Sequence, residues 1–320
     1  MHRRAAAYWV RTAGWETVIL GSLYAAIFLS ALAFLFMIFR AAYLISLYQP
    51  HINAAAYAEA HAYILLIEIV LWTVIAKAAV RFKAYTRKIR GSADGVALDF
   101  MANAMLLSFA YAILFDVAST FKTLFMRSPY LPFVTTVTTL LPLAIFLVLT
   151  GLLFVGTLKL KRLLPDTEIQ IRRNRYVVAI SLTLFALAVI PFGEYFYHLV
   201  QVMLDDDGLH HFTLSPGSLL VVYLLPFAVI WLLGLLSCLN LAQYANRVRG
   251  KLYRPMFRNL NAGILAAYIS TYLIQIWYIS NLPSNRFGFG LVSLFVLILL
   301  LVVGYGLMYL GANQLYLLEQ

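Results

Sequence analysis

Residues His61–Gly91 read HAYILLIEIVLWTVIAKAAVRFKAYTRKIRG. The first two thirds are almost wholly apolar, and about 20 such residues are what a helix needs to cross a bilayer. The last third is basic, with Arg81, Lys83, Arg87, Lys88 and Arg90 in quick succession. A span that stops on a cluster of Lys and Arg reads as a helix ending at the cytoplasmic face. Within the run, His61, Leu65, Glu68 and Trp72 recur at helical spacing and share one face.

The rest of the chain repeats this pattern. Hydrophobic residues make up 63% of the 320 and charged residues 12%, against about half and a quarter in a soluble domain. That excess excludes a soluble enzyme. An aromatic content of 15% excludes intrinsic disorder. The single cysteine, Cys238, has no internal disulfide partner and reads as a small buried apolar residue. Eight segments are long and apolar enough to span: 17–40, 61–81, 97–118, 131–157, 177–200, 217–240, 258–280 and 288–311. The first exceeds the roughly 7–15 residues of a signal-peptide core, so it reads as a span.

The charges sort by side. The N-terminal tail, the 2–3, 4–5 and 6–7 connections and Lys77 hold 20 of the 24 basic residues. Arg40, Lys122, Arg127 and Arg286 fall on the other side. The positive-inside rule then places both termini in the cytoplasm of an inner, cytoplasmic membrane. The net charge of +11 belongs to these loops and is not read as a nucleic-acid surface.

An ungapped shift of 159 residues aligns Trp72 with Trp231, Tyr85 with Tyr244, Arg90 with Arg249 and Gly91 with Gly250. It also aligns Leu106 with Leu265, Leu114 with Leu273 and Asp116 with Gln275. The expected fold is therefore an all-α polytopic membrane protein of about eight spans in two parallel four-helix repeats, N-in and C-in. Its halves are residues 1–165 and 166–320. The fourth and eighth spans carry no charge and are expected to face lipid.

An ionisable residue inside a bilayer costs about 2.5–3.5 kcal/mol to insert, and is a functional candidate for that reason. Glu68 leads. Arg40, Asp116, Glu194, His198 and Gln275 lie at similar depth toward the outer side, and with Glu68 they outline an outward-facing polar site. Glu194 and His198 stand at i and i+4, a weak metal-ligand pair; no metal or cofactor is assigned. Asp205-Asp206-Asp207-Gly208 lacks the spacing of a calcium loop and reads as a solvated turn. The amides on the inner side, with Asp99 and Asn103 among them, read as bonds between helices. Arg87, Lys88 and Arg90, with Arg247, Arg249 and Lys251, are candidates to meet anionic headgroups or a protein partner from the membrane or cytoplasm.

The six histidines lie at the terminus or near the outer side, away from where a bundled haem needs axial ligands. Walker, HExxH and GxSxG motifs do not occur. The sequence leans against catalysis. A transporter or permease is the first reading, a non-catalytic subunit of a larger membrane complex the second, and an enzyme acting on a lipid or quinone the third.

Overall fold

The computed structural model describes residues 2–48, 53–124, 131–163, 225–248, 253–281 and 287–318, with the single positions 179 and 183. The expected fifth span, apart from positions 179 and 183, and residues 217–224 of the sixth, lie outside the described residues. Seven long helices occupy the described chain: α1 (His2–Tyr48), α2 (Ala54–Lys88), α3 (Ala93–Leu124), α4 (Leu131–Arg162), α5 (Leu225–Arg247), α6 (Tyr253–Asn281) and α7 (Phe287–Leu318). Six of them are long and apolar enough to cross a membrane. The chain is a helical, multi-pass membrane protein.

The helices outrun their apolar windows. In α2, Asn53 caps the start, its side-chain oxygen accepting from the amides of Ala55 and Ala56 at 3.1 Å. The helix then continues through the basic run to Lys88. At the turn into α3, Gly91 takes φ 98°, a left-handed conformation that side chains disfavour. Ser92 caps α3 by accepting from the amide of Gly95 at 2.9 Å. Asp94 in the first turn of α3 suits the positive end of the helix dipole.

Helices α2 to α7 form a closed ring. Each packs on the next in chain order, and α7 returns to α2; α1 lies outside, against α2 and α3. Opposite members of the ring, α2 and α5, α3 and α6, α4 and α7, do not meet backbone to backbone among the described residues. Lipid is as apolar as Leu, so such a ring is held by close packing and interhelical hydrogen bonds rather than by hydrophobic transfer. Glycines supply the closeness. A methyl at Gly156 of α4 would fall 2.7 Å from the carbonyl oxygen of Ala97 and 2.7 Å from Cγ of Met101, both on α3. At Gly311 of α7 it would fall 2.8 Å from the carbonyl oxygen of Met256 and 2.9 Å from Cγ of Leu260, both on α6. Met256 and Leu260 stand 159 residues on from Ala97 and Met101.

The uncharged fourth and eighth spans, α4 and α7, present two faces: their inner faces meet the centre of the ring, and their outer faces expose Leu141, Val148, Val296 and Val303, as α1 exposes Phe28, Leu32, Phe36 and Phe39. Charge content reports how easily a helix enters a bilayer. Which helices can approach closely enough to form a ring depends on small residues such as Gly156 and Gly311.

At the basic end the ring is plugged. Phe82, Leu98, Leu160, Leu241, Leu260 and Leu315 are fully buried there in one cluster. Cys238 is buried in the same cluster, as the sequence suggested.

Candidate functional site

Midway along the bundle the packing leaves a cavity of about 40 Å³ between α3, α4, α6 and α7. Ser108, Phe146 and Tyr268 of its wall stand about halfway along helices of 32, 32 and 29 residues. The wall is apolar except for hydroxyls and two methionine sulfurs. Tyr268 donates to Oγ1 of Thr150 at 2.6 Å, which joins α6 to α4. Thr150 donates in turn to the carbonyl of Phe146 at 2.8 Å. Tyr305 of α7 reaches Ser108 of α3 with its hydroxyl, and Ser108 donates to the carbonyl of Ala104 at 3.0 Å. The rings of Phe146 and Tyr268 stack with centroids 5.9 Å apart. A closed set of hydroxyls at mid-depth can hold a small polar molecule. It offers no nucleophile with a base beside it, and no group for acid catalysis.

A charged network lies between α2 and α3, nearer the basic end. Lys83 Nζ is 2.6 Å from Oδ1 of Asp99 and 2.8 Å from Oδ1 of Asn103. Thr86 Oγ1 lies 3.1 Å from the same Asp99 oxygen. The side chain of Lys83 is 17% exposed and that of Asp99 44%. Two opposite charges at this spacing neutralise each other, so the site calls for no charged ligand. The inner amide cluster of the sequence reading includes Asp99 and Asn103, and these do tie two helices. Their cation, Lys83, reads in sequence as a loop residue, yet it lies on α2 about 7.5 Å inside that helix's last residue by helical rise.

The outer polar candidates are placed as follows. Glu68 is 6% exposed, in the buried stretch of α2 that holds Leu65, Leu71 and Trp72. Arg40 is exposed on α1, its guanidinium 5.6 Å from the ring centre of Tyr43 on the same helix. His61 bonds through Nδ1 to the carbonyl of its own helix neighbour Tyr57 at 2.9 Å. Asp116 and Gln275 belong to α3 and α6; their side chains, together with Glu194 and His198, lie outside the described residues. No group of three His, Cys, Asp or Glu side chains converges among the described residues.

The basic end is partly self-satisfied. Arg87 lies 3.2 Å over the ring of Trp15 in α1. Lys88 sits 3.7 Å over the ring of Tyr316 and donates to its carbonyl at 3.3 Å, which places a cation at the negative end of α7. Arg81 pairs with Glu16 at 3.6 Å, and Tyr316 donates to the other carboxylate oxygen of Glu16 at 3.4 Å. Arg90 is exposed and Arg247 half-buried; Arg249 and Lys251 lie outside the described residues. Across the ring, Tyr244 of α5 donates to Asp94 of α3 at 3.2 Å.

Sequence reading passed over the hydroxyl residues of the cavity. Ser and Thr are common in apolar helices and usually bond back to their own helix. The one available signal was their recurrence at similar depth in four separate spans. No family model, curated protein or solved structure matches the chain.

Proposed function

We propose that the protein is a transporter or permease whose path runs through the mid-bundle cavity, between two four-helix halves of like orientation. The observation that carries this reading is the hydroxyl-lined cavity at mid-depth, bounded by two helices from each half. In transporters built from parallel repeats the axis runs along the membrane normal, and sites lie near the midplane where the repeats meet.

Three features support the repeat. The ring contacts come in matched pairs: α2–α3 with α5–α6, α3–α4 with α6–α7, and α4–α5 with α7–α2. The seat of Gly156 on Ala97 and Met101 is echoed by that of Gly311 on Met256 and Leu260. Buried positions echo as well, Leu71 with Ile230 and Tyr85 with Tyr244 at the 159-residue shift, and Leu160 with Leu315 at 155. On the same scheme Met105 answers Ile264, and Ser108 answers Ala267, so the cavity lies on the axis that exchanges the halves.

The orientation follows from charge. The C-terminal ends of α2 and α4 and the N-terminal end of α6 carry the described clusters of Lys and Arg, and α5 ends on Arg247. The positive-inside rule makes that end cytoplasmic, with both termini beside it and an inner membrane as the setting.

Two measurements test the proposal. In proteoliposomes, uptake from a panel of small solutes is expected to exceed that of protein-free vesicles several-fold and to collapse in Ser108→Leu. A panel without uptake, together with a stoichiometric partner chain on gentle extraction, would favour a complex subunit instead. In a Cys238→Ala background, a single cysteine at Ser92 is expected to react with an impermeant maleimide only from the cytoplasmic side.

A further inference from the structure

The cavity wall limits what can sit inside it. Apart from the sulfurs of Met105 and Met308, its side-chain polar atoms are the hydroxyls of Ser108, Tyr268, Thr271 and Tyr305. Three of the four protons are already committed within the chain: Ser108 donates to Ala104, Thr271 to the carbonyl of Ala267 at 2.8 Å, and Tyr268 to Thr150. Each hydroxyl oxygen carries two lone pairs, so the unspent capacity of the wall is mostly for accepting. An occupant has to bring most of the hydrogens.

Size and charge narrow the class further. A volume of about 40 Å³ corresponds to about three waters at roughly 10–15 Å³ each on this measure. It is far below the roughly 300 Å³ at which pockets for metabolites begin. No charged side chain lines the wall, so an ion giving up its hydration there would find nothing to offset the cost. We propose that the cavity is a hydrated, charge-free site for small uncharged hydrogen-bond donors, with water as its resident occupant. Its place on a transport path rests on the functional reading above; its hydration does not.

The test is radiolytic hydroxyl-radical labelling of the whole protein in nanodiscs, in ¹⁸O-water, read by mass spectrometry. Radicals form from water next to a side chain, so Tyr268 and Tyr305 are expected to take up label several-fold faster than Tyr85 and Tyr244. Those two tyrosines are buried in the plug at the basic end and serve as internal controls. Labelling of Tyr268 and Tyr305 no faster than the controls would overturn the proposal. In Ser108→Leu, which fills the space, the excess is expected to vanish; an unchanged excess would also overturn it. Ser108→Ala keeps the volume and guards against misfolding of the larger variant; it is expected to retain the excess, and losing it would count against a water-filled site. Intact labelling without solute flux removes the transport reading and leaves the site standing. Flux without labelling does the reverse.

Discussion

Tyr268 and Thr150 are joined by a 2.6 Å hydrogen bond between α6 and α4, helices that share no backbone contact among the described residues. The bond spans the edge of the cavity and fixes the distance between two walls.

The first prediction concerns that bond. Thr150→Ala and Tyr268→Phe are each expected to destabilise the protein, and their coupling in a double-mutant cycle is expected near 0.6 kcal/mol, with about 1.7 as the ceiling for such bonds in membranes. Unfolding in mixed micelles titrated with denaturing detergent measures it. Strict additivity would mean that the bond adds nothing to stability.

A second prediction separates glycines that pack from glycines that do not. Gly156→Ala and Gly311→Ala each place a methyl within 3 Å of a backbone oxygen on the facing helix. Each is expected to cost about 1–3 kcal/mol, as overpacking does. Gly151 and Gly306 have nothing within 4 Å of such a methyl. Their alanine variants are expected to be neutral or slightly stabilising, since Ala is the better helix former by about 1 kcal/mol. Thermal unfolding of the four variants gives the order, and equal losses at all four would refute the packing argument.

Trp72, aligned with Trp231 by sequence, is fully buried, and for α2 to α7 the apolar windows end within several residues of the helix at the basic end of the bundle. Depth was legible because hydropathy and charge vary along a helix axis. Azimuth was not, because apolar residues surround these helices on all sides and leave no amphipathic stripe to orient them. Glu68 drew attention by its charge, and its burial was recoverable. The cavity hydroxyls were not recoverable, since a site made of neutral groups from four helices exists only once the helices have been placed around a centre.

The third prediction addresses the pair of Lys83 and Asp99. Removing one partner from a buried pair costs about 3–5 kcal/mol. Asp99 is 44% exposed, so water screens part of that loss. Lys83→Met and Asp99→Asn are each expected to cost on the order of 1–2 kcal/mol on this discounted scale. A cycle with the double variant should recover a favourable coupling that weakens between 0.1 and 0.5 M salt, roughly as the screening length shortens. A coupling of zero, or one indifferent to salt, would show the contact to be incidental.

The fourth prediction divides the basic residues by what they already hold. Arg87 and Lys88 are stacked on Trp15 and Tyr316, whereas Arg90 is exposed. Arg90→Glu is expected to lower retention of anionic lipid in native mass spectrometry several-fold with little change in stability. Trp15→Leu is expected to leave lipid retention alone and to weaken the seat of α1 by about 1 kcal/mol, the scale of a cation–π contact. Faster proteolysis within the first turns of α1 would register it. The opposite assignment of effects would mean that the aromatic contacts do not restrain these cations.

The ring closes between its first and last members, and Lys88 and Tyr316, the residues that meet there, are 228 apart in the chain. At about 5–20 residues per second of synthesis, roughly 10 to 50 seconds separate the moment Lys88 leaves the ribosome from the moment Tyr316 does. For most of that interval α2 and α3 exist without α7, and Ser108 stands without Tyr305. Until α7 is made the ring is an open crescent, with the hydroxyl of Ser108 on its uncovered side. A truncation that deletes only α7 is expected to leave that crescent permanently unclosed.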